Sequence, residues 1–194
     1  MSERLVKPVQ SRRGVGWSKI EKAEGGAFGV EGSVYIKSQQ DYMTRSVWRL
    51  YRKTPTLFNE YKTLLYCLEQ GIPVPEPVSF EGDGRFARLV IRAVEPASEL
   101  DDFLARADAE QSRQVIIRLA LLLRRLHRLW WVHGALGNEH ILVRPDGEVV
   151  IIDWEKARRN PFKRAREMRR FWRRTTCLDA AQRALFESVY RSGN

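Results

Sequence analysis

Lys37 closes a run of strand-forming residues, Ser33-Val34-Tyr35-Ile36-Lys37, and Glu60 follows in a segment with helical spacing. Far downstream, His140 precedes Ile141-Leu142, and a second apolar run, Val149-Val150-Ile151-Ile152, ends on Asp153 and Trp154. A lysine on a strand can hold phosphate oxygens, and a helical glutamate can hold that lysine. A carboxylate just past a strand can take a divalent cation. Phosphoryl transfer from a nucleotide needs these parts, so ATP and magnesium are the cofactors this order of residues calls for. Near the start, Gly14 and Gly16 stand at G-x-G spacing, where missing side chains let backbone N–H groups approach phosphate. The same two glycines fit an ordinary turn. No one of these residues is informative alone; their order is.

The catalytic loop of protein kinases reads H-R-D-L-x-x-x-N, followed by an apolar strand and D-F-G. His133, Leu136 and Ile141-Leu142 fall in register with it, Asp153 takes the place of the DFG aspartate, and Val34–Lys37 matches V-A-I-K apart from Tyr35. Two positions depart. Ala135 stands where a carboxylate would accept the proton of the substrate hydroxyl, and His140 where an asparagine would bind a second magnesium. Imidazole is a softer ligand than magnesium prefers. His140 is therefore open between ligating metal, hydrogen-bonding phosphate and packing. A carboxylate at the end of a buried strand, as Asp153 is expected to be, loses hydration unless a cation such as magnesium or hydrogen bonds compensate; an aspartate that simply caps a turn is the plainer alternative. Glu155 is a candidate substitute carboxylate, with a surface pairing to Lys156 or Arg158 as the plainer alternative.

These residues must be positioned by an α+β chain. Glycines at 25, 26 and 32 punctuate short strands, and Thr56 reads as the cap of a helix through Tyr61, Leu64, Leu65 and Leu68 that Gly71 ends. A proline-stiffened stretch and a Gly82-Asp83-Gly84 turn join two further strands. Beyond Pro96–Asp102 the character becomes helical: a short helix at Leu100–Arg106 and a long one at Glu110–Trp130. A strand follows at Glu148–Asp153, and two last helices near Phe162–Arg174 and Asp179–Arg191. The expectation is a mostly β part over 1–95 and a mostly α part over 96–194.

With 43% hydrophobic residues and six tryptophans the chain can bury a core. Cys67 and Cys177 match no metal-ligand spacing and read as free thiols of a reducing compartment. The polar opening MSERLVKPVQSRRG has no apolar stretch of the secretory kind, so a cytoplasmic location is expected. The formal net charge of +10 is uneven: residues 158–174 hold nine positive side chains against Glu167 alone. Such a block suits a polyanion, whether nucleic acid, an anionic membrane face or a phosphorylated substrate, or else a solvated helix face. No nucleic-acid-binding signature accompanies it. Phe162, Met168, Phe171 and Trp172 interleave with the arginines, which fits an interfacial helix and equally a helix packed on its aromatic side.

The blocks GVGWSKI, VYIKSQ, PTLFNEYKTLLYCLEQGIPVPEPV, VHGALGNEHILV and VIIDWEKAR together resemble the bacterial lipopolysaccharide core kinases, the heptose and Kdo kinase group with its InaA-like members. The resemblance implies a two-lobed protein-kinase-like fold with a reduced helical lobe. It also implies ATP-dependent transfer to a sugar hydroxyl of the lipopolysaccharide core at the cytoplasmic face of the inner membrane. Lys37 and Glu60 would orient ATP, Asp153 would hold magnesium, and a histidine at position 140 suits this group. Arg169, Arg170 and Arg173 would meet the anionic substrate. Ala135 opens a second reading, a pseudokinase that binds nucleotide or lipopolysaccharide and regulates a partner.

Overall fold

The computed structural model of the chain describes residues 16–45 and 53–192. They fall into two compact units: the described residues up to Gln70 with Pro75–Ala93, and Gly71–Val74 with the residues from Val94 onward.

In the first unit, β1 (Trp17–Glu24) and β2 (Ser33–Gln40) run antiparallel. The short strands β3 (Met43–Arg45) and β4 (Lys53–Pro55) pair with each other and lead into helix α1 (Thr56–Glu69). Strands β5 (Pro77–Gly82) and β6 (Phe86–Arg92) complete a four-stranded sheet of order β1-β2-β6-β5. Asp83 holds the turn between them by accepting the backbone N–H groups of Arg85 and Phe86.

Period-two alternation sends Val34 and Ile36 to one face of β2, where they pack with Val90, Val78 and Phe28. Lys37 and Gln39 go to the other face, where α1 meets them. The Thr56 hydroxyl bonds Gln39 Oε1 at 2.9 Å and Glu60 bonds Lys37 at 2.7 Å. Four helical residues rise about 6 Å and two strand residues about 6.6 Å, so one helix face matches one strand face in register. This also corrects the reading of Thr56 as a cap. Pro55 is the N-cap and Thr56 lies inside the helix, its hydroxyl engaged by Gln39 and the Tyr42 carbonyl instead of by the helix's own N–H groups.

The second unit begins with β7 (Ser98–Glu99), α2 (Leu100–Arg106) and α3 (Ala109–Arg128). Strands β8 (Trp131–Val132), β9 (Ile141–Val143), β10 (Val149–Ile151) and β11 (Arg158–Arg159) follow, then α4 (Arg164–Arg174) and α5 (Ala180–Arg191). The sheet order is β10-β9-β7, with β8 and β11 paired separately. The expected strand to Asp153 stops at Ile151, because Asp153 turns the backbone to φ 65°.

Capping boxes start α3 at Asp108/Gln111 and α5 at Asp179/Gln182. Ile116, Leu119, Leu123 and Leu126 form the buried stripe of α3. Its arginines tie neighbouring backbone: Arg118 to the Asp146 carbonyl, Arg124 to Val189 and Arg125 to Gly71. Phe171 of α4 and Phe186 of α5 are fully buried against each other, and Trp172 meets Phe186 edge-on. Packing thus claims Phe171 and Trp172, while Phe162 stays 94% exposed. Both cysteines are free, and burial pushes the Cys67 thiol up to about 12, which keeps it protonated and inert.

Phe186→Ala is expected to cost about 3–5 kcal/mol in denaturant unfolding, because it empties this aromatic cluster. Phe162→Ser is expected to stay within about 0.5 kcal/mol of wild type. Equal costs for the two would show that the cluster is not the core it is drawn as.

Candidate active site

Each unit carries its own share of the candidate residues. In the first, the Lys37 ammonium lies 2.7 Å from Glu60 Oε1, with the two side chains 8% and 1% exposed. A strand lysine is ordinarily solvated. Here α1 covers it, and a buried ammonium requires a carboxylate beside it. Gly16 has φ 126°, and a Cβ there would lie 2.8 Å from the Gln40 carbonyl oxygen and 2.9 Å from that of Asp41. The requirement for glycine at 16 therefore comes from close backbone approach at the start of the β1–β2 pair. Gly14 lies outside the described residues.

In the second unit, the loop after β8 holds the rest. His133 is fully buried; its Nε2–H donates to the Ile152 carbonyl at 2.9 Å and its ring packs edge-on against Trp154. Burial, only partly offset by the negative Glu167, pushes its pKa down to about 4, so the ring is neutral at ordinary pH. Gly134 has φ 83°, and a Cβ would lie 2.5 Å from the Lys156 carbonyl oxygen; only glycine fits. Ala135 is 7% exposed and offers no proton acceptor from its side chain. Its carbonyl accepts from Arg174 Nη1 at 2.7 Å and from His140 Nδ1 at 3.0 Å.

That last bond fixes the histidine. A carbonyl only accepts, so Nδ1 of His140 carries the proton and Nε2 carries the lone pair of the neutral ring. Nε2 lies 3.3 Å from Asp153 Oδ2. Two lone pairs facing each other need something positive between them, either a second proton on the ring or a cation. One carboxylate oxygen and one imidazole nitrogen converging in this way are a chemically suitable start for a divalent cation site. The backbone brings them together: Ile152 N–H donates to the His140 carbonyl at 3.0 Å and Asp153 takes the left-handed conformation. Asp153 differs from expectation in one respect. Its side chain is 40% exposed, because the turn at 153 lifts the carboxylate off the strand, and desolvation alone creates no demand for a cation.

The loop's main support is Glu167 of α4, which sequence reasoning missed. Its Oε1 accepts the His133 N–H at 3.0 Å and its Oε2 the Gly134 N–H at 2.5 Å. His127 Nε2 lies 3.0 Å from Oε1, and His127 Nδ1 lies 2.5 Å from the Tyr190 hydroxyl. Burial raises the Glu167 pKa, but the hydrogen bonds from His127 and the Gly134 N–H outweigh it and hold the carboxyl below its ordinary range. Arg170 of the same helix donates to the Gly134 carbonyl at 3.3 Å, and Arg174 also pairs with Glu139. The one available signal was that Glu167 is the only acid within a basic run. Of the three arginines singled out for anions, Arg170 thus reaches the loop, while Arg169 and Arg173 face an outer cleft.

Glu167→Gln replaces an acceptor-only carboxylate by a group whose NH₂ confronts an N–H donor, and an expected loss of about 3 kcal/mol follows. Because the folded carboxyl is held low, its contribution is full above the unfolded value near 4.5 and fades as pH falls through the lower folded value. Urea unfolding across the acid range should show this fading in wild type and not in Glu167→Gln. An unchanged acid limb in the variant would remove Glu167 from this role.

The sequence model of the lipopolysaccharide kinase (Kdo/WaaP) family matches residues 2–190. No curated protein matches the chain. Among solved structures, the chain is similar to an aminoglycoside-3'-phosphotransferase of type VIII, with a TM-score of 0.67 and 21% identity over 99% of this chain and 86% of that one. That likeness establishes the α+β protein-kinase-like fold, as the motif order led one to expect. With the family match spanning nearly the whole length, the chain belongs to the Kdo/WaaP lipopolysaccharide kinase family.

Proposed function

We propose that the chain transfers the terminal phosphoryl group of ATP to a sugar hydroxyl of the lipopolysaccharide core. The observation that carries this reading is the buried Lys37–Glu60 pair. Replacing a buried ion pair by apolar residues is often neutral or stabilising, so its presence on a sheet face asks for a reason beyond stability. Orienting a nucleotide's phosphates is such a reason, and membership of a lipopolysaccharide kinase family supports a lipopolysaccharide acceptor.

In this reading Glu60 holds the Lys37 ammonium in place, and Lys37 presents its charge to the nucleotide's phosphate oxygens. Asp153 and His140 would hold magnesium or a softer divalent ion, which when bound neutralises charge on those oxygens. The His133–Ile152 bond and the Glu167 contacts keep the loop backbone fixed while charge redistributes nearby. No side chain at position 135 takes the acceptor's proton. A general base typically contributes about 10²–10⁴-fold, and the loose transition state of phosphoryl transfer leaves positioning and electrostatics as the larger share.

Ala135 favours one rival, a pseudokinase that binds nucleotide or lipopolysaccharide to regulate a partner. Both readings expect ATP with magnesium to stabilise the fold. About 100-fold excess over Kd corresponds to about 2.7 kcal/mol, a shift of several degrees in Tm. Lys37→Met and Asp153→Asn should each abolish most of that shift; no shift in wild type would remove both readings. Transfer of labelled γ-phosphate to purified core oligosaccharide then separates them. The transferase reading expects measurable transfer by wild type and an increase of about 10²-fold in Ala135→Asp. Wild type that binds ATP and transfers nothing supports the pseudokinase.

A further inference from the structure

The basic run divides by helical phase. Glu167, Arg170 and Arg174 of α4 face the loop. Arg166, Arg169 and Arg173 turn outward to a surface cleft of about 600 Å³, completed by Arg170, Trp172 and Arg183 of α5. No acidic side chain lines this cleft. Among the described residues, the ion pairs of arginines on these two helices engage Arg174, Arg183 and Arg191, and no carboxylate reaches Arg166, Arg169 or Arg173. The Arg183 guanidinium lies 4.6 Å over the Trp172 ring, which packs on Phe186, so the cleft wall is fixed by core aromatics. Five like charges gathered around one cleft, with a carboxylate among the described residues reaching only Arg183, repel one another. Arginine forks in this arrangement fit phosphate esters.

A second crevice, lined by Arg158, Lys163, Arg166 and Arg170 with Glu167 as its one acid, continues the net positive charge to the turn that bears Phe162. Phe162 is 94% exposed and Trp130 58% exposed. Asn160 N–H donates to the Trp130 carbonyl at 2.8 Å, so the chain just before Phe162 runs beside Trp130. A soluble phosphate ester accounts for the arginines and leaves the bare phenyl ring without a purpose. A lipid surface accounts for both, since aromatics settle at the headgroup–acyl boundary beside cations that meet lipid phosphates. Within the described residues no helix is long and apolar enough to cross a membrane, so contact through this face would be peripheral.

The geometry points to an anionic bilayer as the partner of this face, with the outward arginines on lipid phosphates and Phe162 seated among the headgroups. The inference is independent of phosphoryl transfer, and its test uses no nucleotide. The full chain is sedimented with vesicles of phosphatidylcholine, with or without phosphatidylglycerol, at low and physiological salt. Binding should require phosphatidylglycerol and weaken as salt rises. Arg169→Gln with Arg173→Gln should lower partitioning about thirtyfold, from about fivefold per cation near an anionic surface. Phe162→Ser should lower it about tenfold. Arg106→Gln with Arg113→Gln removes the same charge from exposed positions on α2 and α3 and should change binding less than threefold or so. Thermal unfolding confirms that each variant is folded. Equal loss in the Arg106/Arg113 protein, or undiminished binding by Phe162→Ser, overturns the proposal. So does wild type that ignores phosphatidylglycerol vesicles and binds a short single-stranded RNA, which would assign the face to nucleic acid.

Discussion

A loop that doubles back inside a protein leaves backbone N–H groups with no ladder to join, and each one left unpaired costs about 1–3 kcal/mol. After β8 the chain must turn at Gly134 against the Lys156 carbonyl, which rules out a regular strand there. One carboxylate solves the problem: Glu167 takes the N–H groups of both His133 and Gly134. A buried carboxylate needs its own compensation, which comes from His127 on α3, itself bonded to Tyr190 on α5. Three helices are thereby tied to two backbone amides. The last two helices, which a reading by charge treats as a basic appendage, are a condition for the loop's shape.

Local pattern made much of the site legible. Strand alternation and the motif order point to Lys37 and Glu60 as partners, and the structure brings them together on the helix-covered face of the sheet. The strand entry at Ile141 and the apolar run to Ile152 likewise announce where Asp153 and His140 come together. What stayed hidden has partners far away in sequence. Glu167 bonds residues 33 and 34 positions upstream, and Arg174 a carbonyl 39 positions upstream. No periodicity encodes such bonds, and a lone acid among nine cations reads as background. Thr56 fails differently. Its hydroxyl had a good local use as a cap, and a tertiary partner, Gln39, took it.

The same contrast explains why the basic run resists a single assignment. Composition counts its charges alike, but a helix of 3.6 residues per turn separates positions 167, 170, 171 and 174 from 166, 169 and 173. The inward row meets carbonyls, amides and Phe186, where a guanidinium works as a fixed fork of donors. The outward row meets solvent and its own kind. Removing charge from one row would disturb backbone positioning, and from the other only the surface potential. Phase decides which property of arginine is used.

Ala135 acquires its meaning from this scaffold. The backbone around position 135 is fully engaged: the Ala135 carbonyl receives Arg174 and His140, the Gly134 carbonyl receives Arg170 while its N–H donates to Glu167, and His133 braces Ile152. Against the protein-kinase pattern, position 135 lacks the side-chain proton acceptor and position 140 carries an imidazole in place of an amide. This arrangement is the one expected of the proposed site, which would work by positioning, and the carbonyl bond that fixes His140 leaves its remaining nitrogen directed toward the Asp153 carboxylate.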